Sequence, residues 1–408
     1  MTKLSAIGGF LLLLIPGISC GSQPLHKNIS EESLVIKEIV QPVSVEIAQY
    51  YDSRKAVVIF TADDWCGKEA YHQAFINACE AARKNGVVVS PGILPRGLCK
   101  LNYPGLENNQ WKDIQAQINK GLVCPASHSM SHRGKKYSYN EHGTSYEIEI
   151  GGSKKSIIDN LTLPLQNQFN SSEYMVAWIE PYGKSDAKIL STLAKNNYLV
   201  SRSTVLNQYR WAKWNNIYGL YHSDLTIDIA SRNSLALLDS KFDNAYSRGL
   251  VYHVNIHPGK YDWVNDDKAV KHLGYIGNRK DVWYAGFGHA YMYHYLEDKV
   301  KPLIQTIKNA EQEIIVKISV PETERKKYGL SYPITYKVSI PSNWQGVHVY
   351  SQDGSDNDYM PMTEKTSSDF FNGIDAYRKN STQNEVFISK GFPQTSNYFH
   401  LKLEKAGF

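Results

Sequence analysis

At 408 residues the chain is long enough for two domains or for one large barrel with an appendage, and 42% hydrophobic against 21% charged residues are those of an ordinary globular protein, for which disorder is not the default. Its formal charge of +5 includes Lys3, which lies in a removable leader, so 5 − 1 = +4 remains on the rest. That surplus comes without a basic cluster, and no nucleic-acid partner is expected.

Residues 1–19 carry Lys3 and then the run GGFLLLLIPGIS, directly followed by Cys20. A positive start, an apolar core too short to anchor stably, and small Gly17 and Ser19 read as a secretory signal cut before Cys20. The arrangement resembles a bacterial lipobox, with Gly17 where an aliphatic residue is usual; ordinary signal-peptidase cutting at the same bond is the rival. The body is then expected outside the cytoplasm, in the cell envelope, held to the membrane through a lipid on Cys20. Four cysteines remain, Cys66, Cys79, Cys99 and Cys124, with a Cys66–Cys99 bridge favoured because both follow strands.

Residues 20–50 read as a tether and approach segment. The stretch AVVIFTADDW at 56–65 opens as a buried parallel strand and ends on two adjacent carboxylates, Asp63 and Asp64. Two like charges at the mouth of a sheet call for a cation or solvent, unless one of them caps the next helix. Tyr71, Ala74, Phe75, Ala78 and Ala82 then repeat at helical spacing up to Gly86. An apolar run at 87–89 and a helix with Trp111, Ile114 and Ile118 on one face follow, so strands alternate with helices as in an α/β domain.

A strand at 122–126 runs into SHSMSHRG, where His128 and His132 stand four apart and can point the same way, as two ligands of one metal or as solvated loop residues. A helix near 156–163, a strand at 175–179 ending in Glu180, Pro181, Tyr182 and Gly183, a helix at 186–195 and a strand at 199–203 come next. Residues 208–228 are dense in Trp and Tyr without a clean period. GLVYHVNIH at 249–257 ends in His257, which either reaches the site or merely opens a turn. A last strand at 282–285 precedes a predicted helix over 291–307. From Glu313 the period becomes two, through Ile314, Val316 and Ile318, and residues 310–408 read as a small all-β, sandwich-like domain separable near residue 310.

Parallel strands bring their C-terminal ends to one rim. Asp63 and Asp64, His128 and His132, and His257 therefore belong together. One carboxylate and two imidazoles suit a catalytic zinc with open positions, leaving a base and an acid for hydrolysis.

This ordered set resembles the polysaccharide deacetylases, the NodB-homology or carbohydrate esterase family 4 enzymes. TADDW is similar to their TFDDG block, HSMSH to their H-x-x-x-H block, EPYG to the end of their R-x-P-Y-G block and NIHPG to their late histidine block, over about residues 55–290. The resemblance implies an incomplete, distorted β/α barrel at 51–309. It implies Asp64, His128 and His132 as ligands of a divalent metal, most readily Zn2+, with Co2+ or Mn2+ as alternatives. Asp63 would be the base, His257 the acid, and the Tyr182 backbone N–H would face the oxyanion. The substrate would be an acetylated polysaccharide, N- or O-linked, and no protein partner is expected.

Two departures stand out. Ile179 occupies the position of the arginine that orients the base, for which Arg202 is a candidate substitute, and Trp65 replaces a glycine. The missing arginine motivates an alternative, a glycan-binding envelope lipoprotein that keeps the metal scaffold without turnover. Trp65, Trp211, Trp214, Tyr221, Tyr261 and Trp263 are candidate rings for stacking on sugars, Trp65, Tyr182, Trp211 and Trp263 being the substrate contacts expected here. Asp224, Asp228 and Asp262 are candidates for the family's fourth block.

Overall fold

The strand β2 (Ala56–Trp65) is buried along its whole length, as its run of β-branched and aromatic residues predicts. One edge pairs in parallel with β10 (Val251–Ile256), from Val57↔Val251 to Ala62↔Ile256. The other edge is shared: β11 (Val282–Ala285) runs along Ala56–Ile59 and β3 (Val89–Ile93) takes over from Phe60. The sheet continues in parallel through β4 (Ala126–Ser127), β5 (Ala177–Ile179), β6 (Val200–Ser203) and β8 (Leu220–Asp224), with β7 (Trp214–Asn215) antiparallel at that margin and β9 (Ile227–Asp228) beside β10 at the other. β8 and β9 stand near opposite ends of the ladder, yet only Leu225 and Thr226 lie between them in the chain. The sheet must therefore curl until its margins meet, closed by covalent chain rather than by hydrogen bonds, which is an incomplete, distorted β/α barrel.

The computed structural model describes residues 43–133, 143–163, 175–183, 185–203, 214–215, 219–261, 263, 267–327, 332–355, 358–366, 375–380, 382–393 and 395–407. The expected signal, Cys20 and Trp211 lie outside these residues.

Helices cover the barrel. α1 (Glu69–Lys84) buries Ala74, Phe75, Ala78 and Ala82 at the predicted spacing and stops at Gly86, whose φ of 65° few other residues adopt. α2 (Asn108–Asn119) and α3 (Ser153–Asn160) follow, then α4 (Ala187–Lys195), capped by Asp186 through a 2.9 Å bond from the Ile189 N–H. α5 (Leu235–Ser247), α6 (Asp267–Ile276) and α7 (Phe287–His294) complete the set. The helix expected over 291–307 does not run that far. After a π-turn at Tyr295–Val300 the chain meets Pro302, which cannot continue a helix, and becomes β12 (Leu303–Asn309).

Two antiparallel sheets form the remainder. One has the order β1 (Val45–Ile47), β14 (Ile334–Ser339), β18 (Glu385–Lys390), β17 (Ala376–Asn380). The other runs β12, β13 (Glu313–Ser319), β19 (Tyr398–Lys405), β15 (Val347–Asp353), β16 (Met360–Pro361). Period-two burial of Ile314, Val316 and Ile318 meets that of Phe399, Leu401 and Leu403, and Tyr336 of the first sheet contacts Phe399 of the second edge-on at 5.9 Å.

The first strand β1, in the segment read as a tether, belongs to this β part. One apolar core runs from barrel into sandwich without a break, through Tyr51, Trp283, Tyr293 and Tyr332. Between them, the Tyr293 hydroxyl donates to the Ala48 carbonyl at 2.6 Å, and the Asp52 N–H donates to Thr335 Oγ1 at 2.7 Å across 283 residues of sequence.

Candidate active site

The site begins where β2 stops being regular. Successive residues of a strand face opposite ways, so Asp63 and Asp64 could not both reach one cleft from an ideal strand. The pairing with β3 slips between Ala62 and Trp65, and Asp64 sits at φ 79°. This bulge re-aims the chain and brings both carboxylates to the same mouth. Ser129, His132 and Tyr182 also have positive φ, at 70°, 59° and 60°, a concentration of backbone strain expected of a built site.

Asp64, His128 and His132 converge, each offering one ligand atom, all within 4.8 Å of one another. Asp64 Oδ1 lies 3.3 Å from His128 Nε2 and 3.2 Å from His132 Nε2. The His128 ring is fixed by its other nitrogen, Nδ1 donating to the Ile179 carbonyl at 2.7 Å, which leaves Nε2 with a lone pair toward Asp64. His132 Nδ1 is 3.1 Å from the Tyr182 hydroxyl. Asp64 Oδ1 is buried without a hydrogen-bond donor among the described residues. Three electron-pair donors facing one another in a buried spot repel unless a cation lies between them, so these residues fit a divalent metal. Burial works to raise the Asp64 pKa, but protonated imidazoles, in the place of a cation, donate to the carboxylate, outweigh burial and hold the group well below its usual range.

Asp63 faces the same cleft from the other side of the bulge. Arg202 clamps it in a fork, Nη1 to Oδ1 at 2.6 Å and Nη2 to Oδ2 at 2.5 Å, with both residues buried. Burial pushes the Asp63 pKa up, and the guanidinium more than offsets this, keeping the carboxylate ionised. Arg202 stands in β6 directly opposite Ile179 of β5 in the parallel register. Arg202, the candidate substitute, is thus one strand over from Ile179 at the same height. Its Nη1 also reaches Asn255 Oδ1 at 2.8 Å and Thr61 Oγ1 at 3.1 Å, and Asn255 Nδ2 donates to Asp228 at 3.2 Å. His257 follows β10, with Nε2 3.9 Å from Asp63 Oδ2 and its side chain 27% exposed. Asp63, Arg202, Asn255, Asp228 and His257 line one cleft of about 400 Å³ with the Asp64, His128 and His132 set, together with Tyr71, Leu101, Lys100, Leu225 and Lys260.

The structure brings Asp63, Asp64, His128, His132, Tyr182 and His257 to that cleft, and it places Trp65, Tyr221 and Trp263 elsewhere. Trp65 is fully buried, stacked on Phe75 at 4.9 Å with its indole N–H donating to His72 Nδ1 at 3.0 Å, because the bulge turns it inward. Trp263 is 9% exposed and donates to the Pro258 carbonyl, and Tyr221 is buried in the core. Tyr261 is half-buried, and the side chain of Trp214 lies outside the described residues. Of the three aspartates, Asp228 lines the cleft, while Asp262 is outside the description. Cys66 is buried and unbonded, so the favoured bridge to Cys99 is not made. Sequence reasoning missed Asn255 and Tyr71, which line the cleft. Asn255 stands two residues before His257, the one signal that could have found it; Tyr71 was absorbed into the apolar face of α1.

No family profile matches the chain, and no curated relative matches it. Among solved structures, one described as a "putative polysaccharide deacetylase" from Mycobacterium smegmatis is 13% identical, with 60% of this chain and 92% of that chain covered at a TM-score of 0.42. A 4-alpha-glucanotransferase from Thermococcus litoralis is 10% identical, with 60% and 40% covered at 0.38. A de-N-acetylase from Aggregatibacter actinomycetemcomitans is 14% identical, with 46% and 98% covered at 0.26. At such identities and scores these likenesses carry no argument about chemistry, which is left to the cleft itself.

Proposed function

We propose that this protein is a metal-dependent hydrolase that removes N- or O-linked acetyl groups from a polysaccharide of the bacterial cell envelope. The observation that carries the reading is the joint placement, on one cleft, of an Asp–His–His ligand set, a separate carboxylate held ionised by Arg202, and a partly exposed histidine. A divalent ion held by Asp64, His128 and His132, zinc most readily with cobalt or manganese as alternatives, would supply Lewis acidity toward an acetyl carbonyl and lower the pKa of water toward about 7. Asp63 accepts the proton of the attacking water. The Tyr182 N–H, in a backbone turned left-handed, donates to the developing oxyanion. His257 gives its proton to the departing amine or alcohol, so water and the acetylated sugar become acetate and the free sugar.

The alternative of a glycan-binding protein without turnover was motivated by Ile179, and Arg202 at hydrogen-bond distance from Asp63 removes that motive. Acetate release from a panel of N- and O-acetylated glycans, with and without chelator, tests the proposal. Binding without acetate release from any member would sink it. The envelope location, with a lipid on Cys20, is part of the same proposal. It is checked by mass spectrometry of the membrane fraction, where an unmodified Cys20 in soluble protein removes the anchor.

A further inference from the structure

The loop that carries His128 and His132 leaves β4 and turns left-handed at Ser129 and again at His132, neither of them glycine. L-residues stay in that conformation only when their surroundings over-determine it. On one side, the Arg96 N–H donates to the Met130 carbonyl at 2.8 Å. On the other side stands Glu149, 1% exposed, in the π-turn Ile148–Gly152. Its Oε2 accepts the Ser131 N–H at 2.9 Å, while Oε1 accepts the Ser131 hydroxyl at 2.6 Å and the Thr144 hydroxyl at 2.7 Å. Its backbone carbonyl takes the Met130 N–H at 3.0 Å. The residue directly before His132 is therefore gripped at both its N–H and its O–H by one buried carboxylate. Glu149 is absent from the cleft lining, and both its oxygens are committed to the loop, so it is not itself a ligand. π-turns of this kind recur at functional sites, where the extra residue re-aims a side chain.

We propose that Glu149 is a positioning residue that sets the separation and direction of the two ligand imidazoles. The inference rests on the reading of Asp64, His128 and His132 as metal ligands. A purely structural role would leave metal affinity untouched whatever happened to folding stability, and that separates the two.

The test is E149Q in the full chain, which keeps the shape but sets an amide NH2 against one of the Ser131 or Thr144 donors. Zinc affinity, measured by competition with a chromophoric chelator, is expected to fall about 10- to 100-fold, the usual effect of losing a group that orients a ligand. The absorption bands of the cobalt-loaded protein should change in intensity as well. T144A, which removes only the bond farther from the ligands, should lose less than about 3-fold. Wild-type zinc affinity together with a wild-type cobalt spectrum in E149Q overturns the inference, even if its melting temperature drops. Should E149Q not fold, E149D, which draws the carboxylate back from both Ser131 donors, decides: weaker zinc binding supports the inference and unchanged binding overturns it. A wild-type protein that binds neither zinc nor cobalt would instead remove the metal reading, and this inference with it.

Discussion

Arg202 and Asp63 are a buried ion pair in fork geometry, and such a pair is costly to break from one side. Arg202→Ile leaves an uncompensated carboxylate in the barrel mouth. It should destabilise the protein by about 3–5 kcal/mol in chemical denaturation. Because positions 179 and 202 are register partners, adding Ile179→Arg to that variant should recover part of both stability and acetate release. A double variant as unstable and as slow as the single one would mean that the direction of the guanidinium matters more than its height in the sheet. Asp63→Asn should keep bound metal and lose about 10²- to 10⁴-fold in turnover, whereas Asp64→Asn should lose metal, as read by metal analysis of the purified variants. Asp63, Asp64, His128, His132 and His257 were legible in the sequence because chemistry-bearing residue types stood at strand ends. Arg202 could be named only as a candidate substitute, since cross-strand register has no signature in linear order. Trp65 was misread for a related reason: alternation predicts which way a strand residue faces only while the strand stays regular, and β2 bulges one residue earlier.

At the scale of elements, the site depends on a close approach between β3 and the ligand loop. A Cβ added at Gly92 would lie 3.1 Å from His128 Cβ and 3.2 Å from Ile179 Cδ1. Gly92→Ala should therefore push on the imidazole and on the residue whose carbonyl orients it. A several-fold weaker zinc affinity is expected, with a stability loss of about 1–3 kcal/mol, measured by chelator competition and denaturation. Unchanged affinity would show that the loop gives way freely. Strand and helix order was readable from periodicity, yet β3 extends over Ser90, Pro91 and Gly92, which no apolar run announces. Conversely, of the apolar stretch at 122–126 only Ala126 joins β4: Val123 makes a single bridge to Val89, and Pro125, with no N–H to donate, interrupts the ladder between them. Pro302 was the visible stop signal for the last helix of the barrel.

For the whole molecule, the junction between barrel and sandwich contributes to behaviour in acid. His289 stacks on Tyr332 at 5.1 Å, lies 3.6 Å from Cys124 Sγ, and is pushed by burial from 6.5 down to about 4. Burial pushes the Cys124 thiol up to about 12 and the Tyr332 hydroxyl well above its usual value, so both neighbours are neutral and offer no counter-charge. A folded pKa below the unfolded one means that His289 contributes stability fully above pH 6.5 and loses it as pH falls toward 4. The loss should total about 3 kcal/mol and be absent from His289→Gln, as checked by denaturation at several pH values. A chain cut after residue 309 would expose Tyr51, Trp283 and Tyr293, which now bury against the sandwich, and should be insoluble or molten. A soluble fragment with dispersed NMR signals would show that the barrel stands alone. The pairing of β1 with β14 also bears on how the protein is made. Made before the other described strands, β1 has no partner until β14 (Ile334–Ser339) has followed it. Until then the core shared by barrel and sandwich stays open, and an unpaired strand edge is exposed to chaperones and proteases.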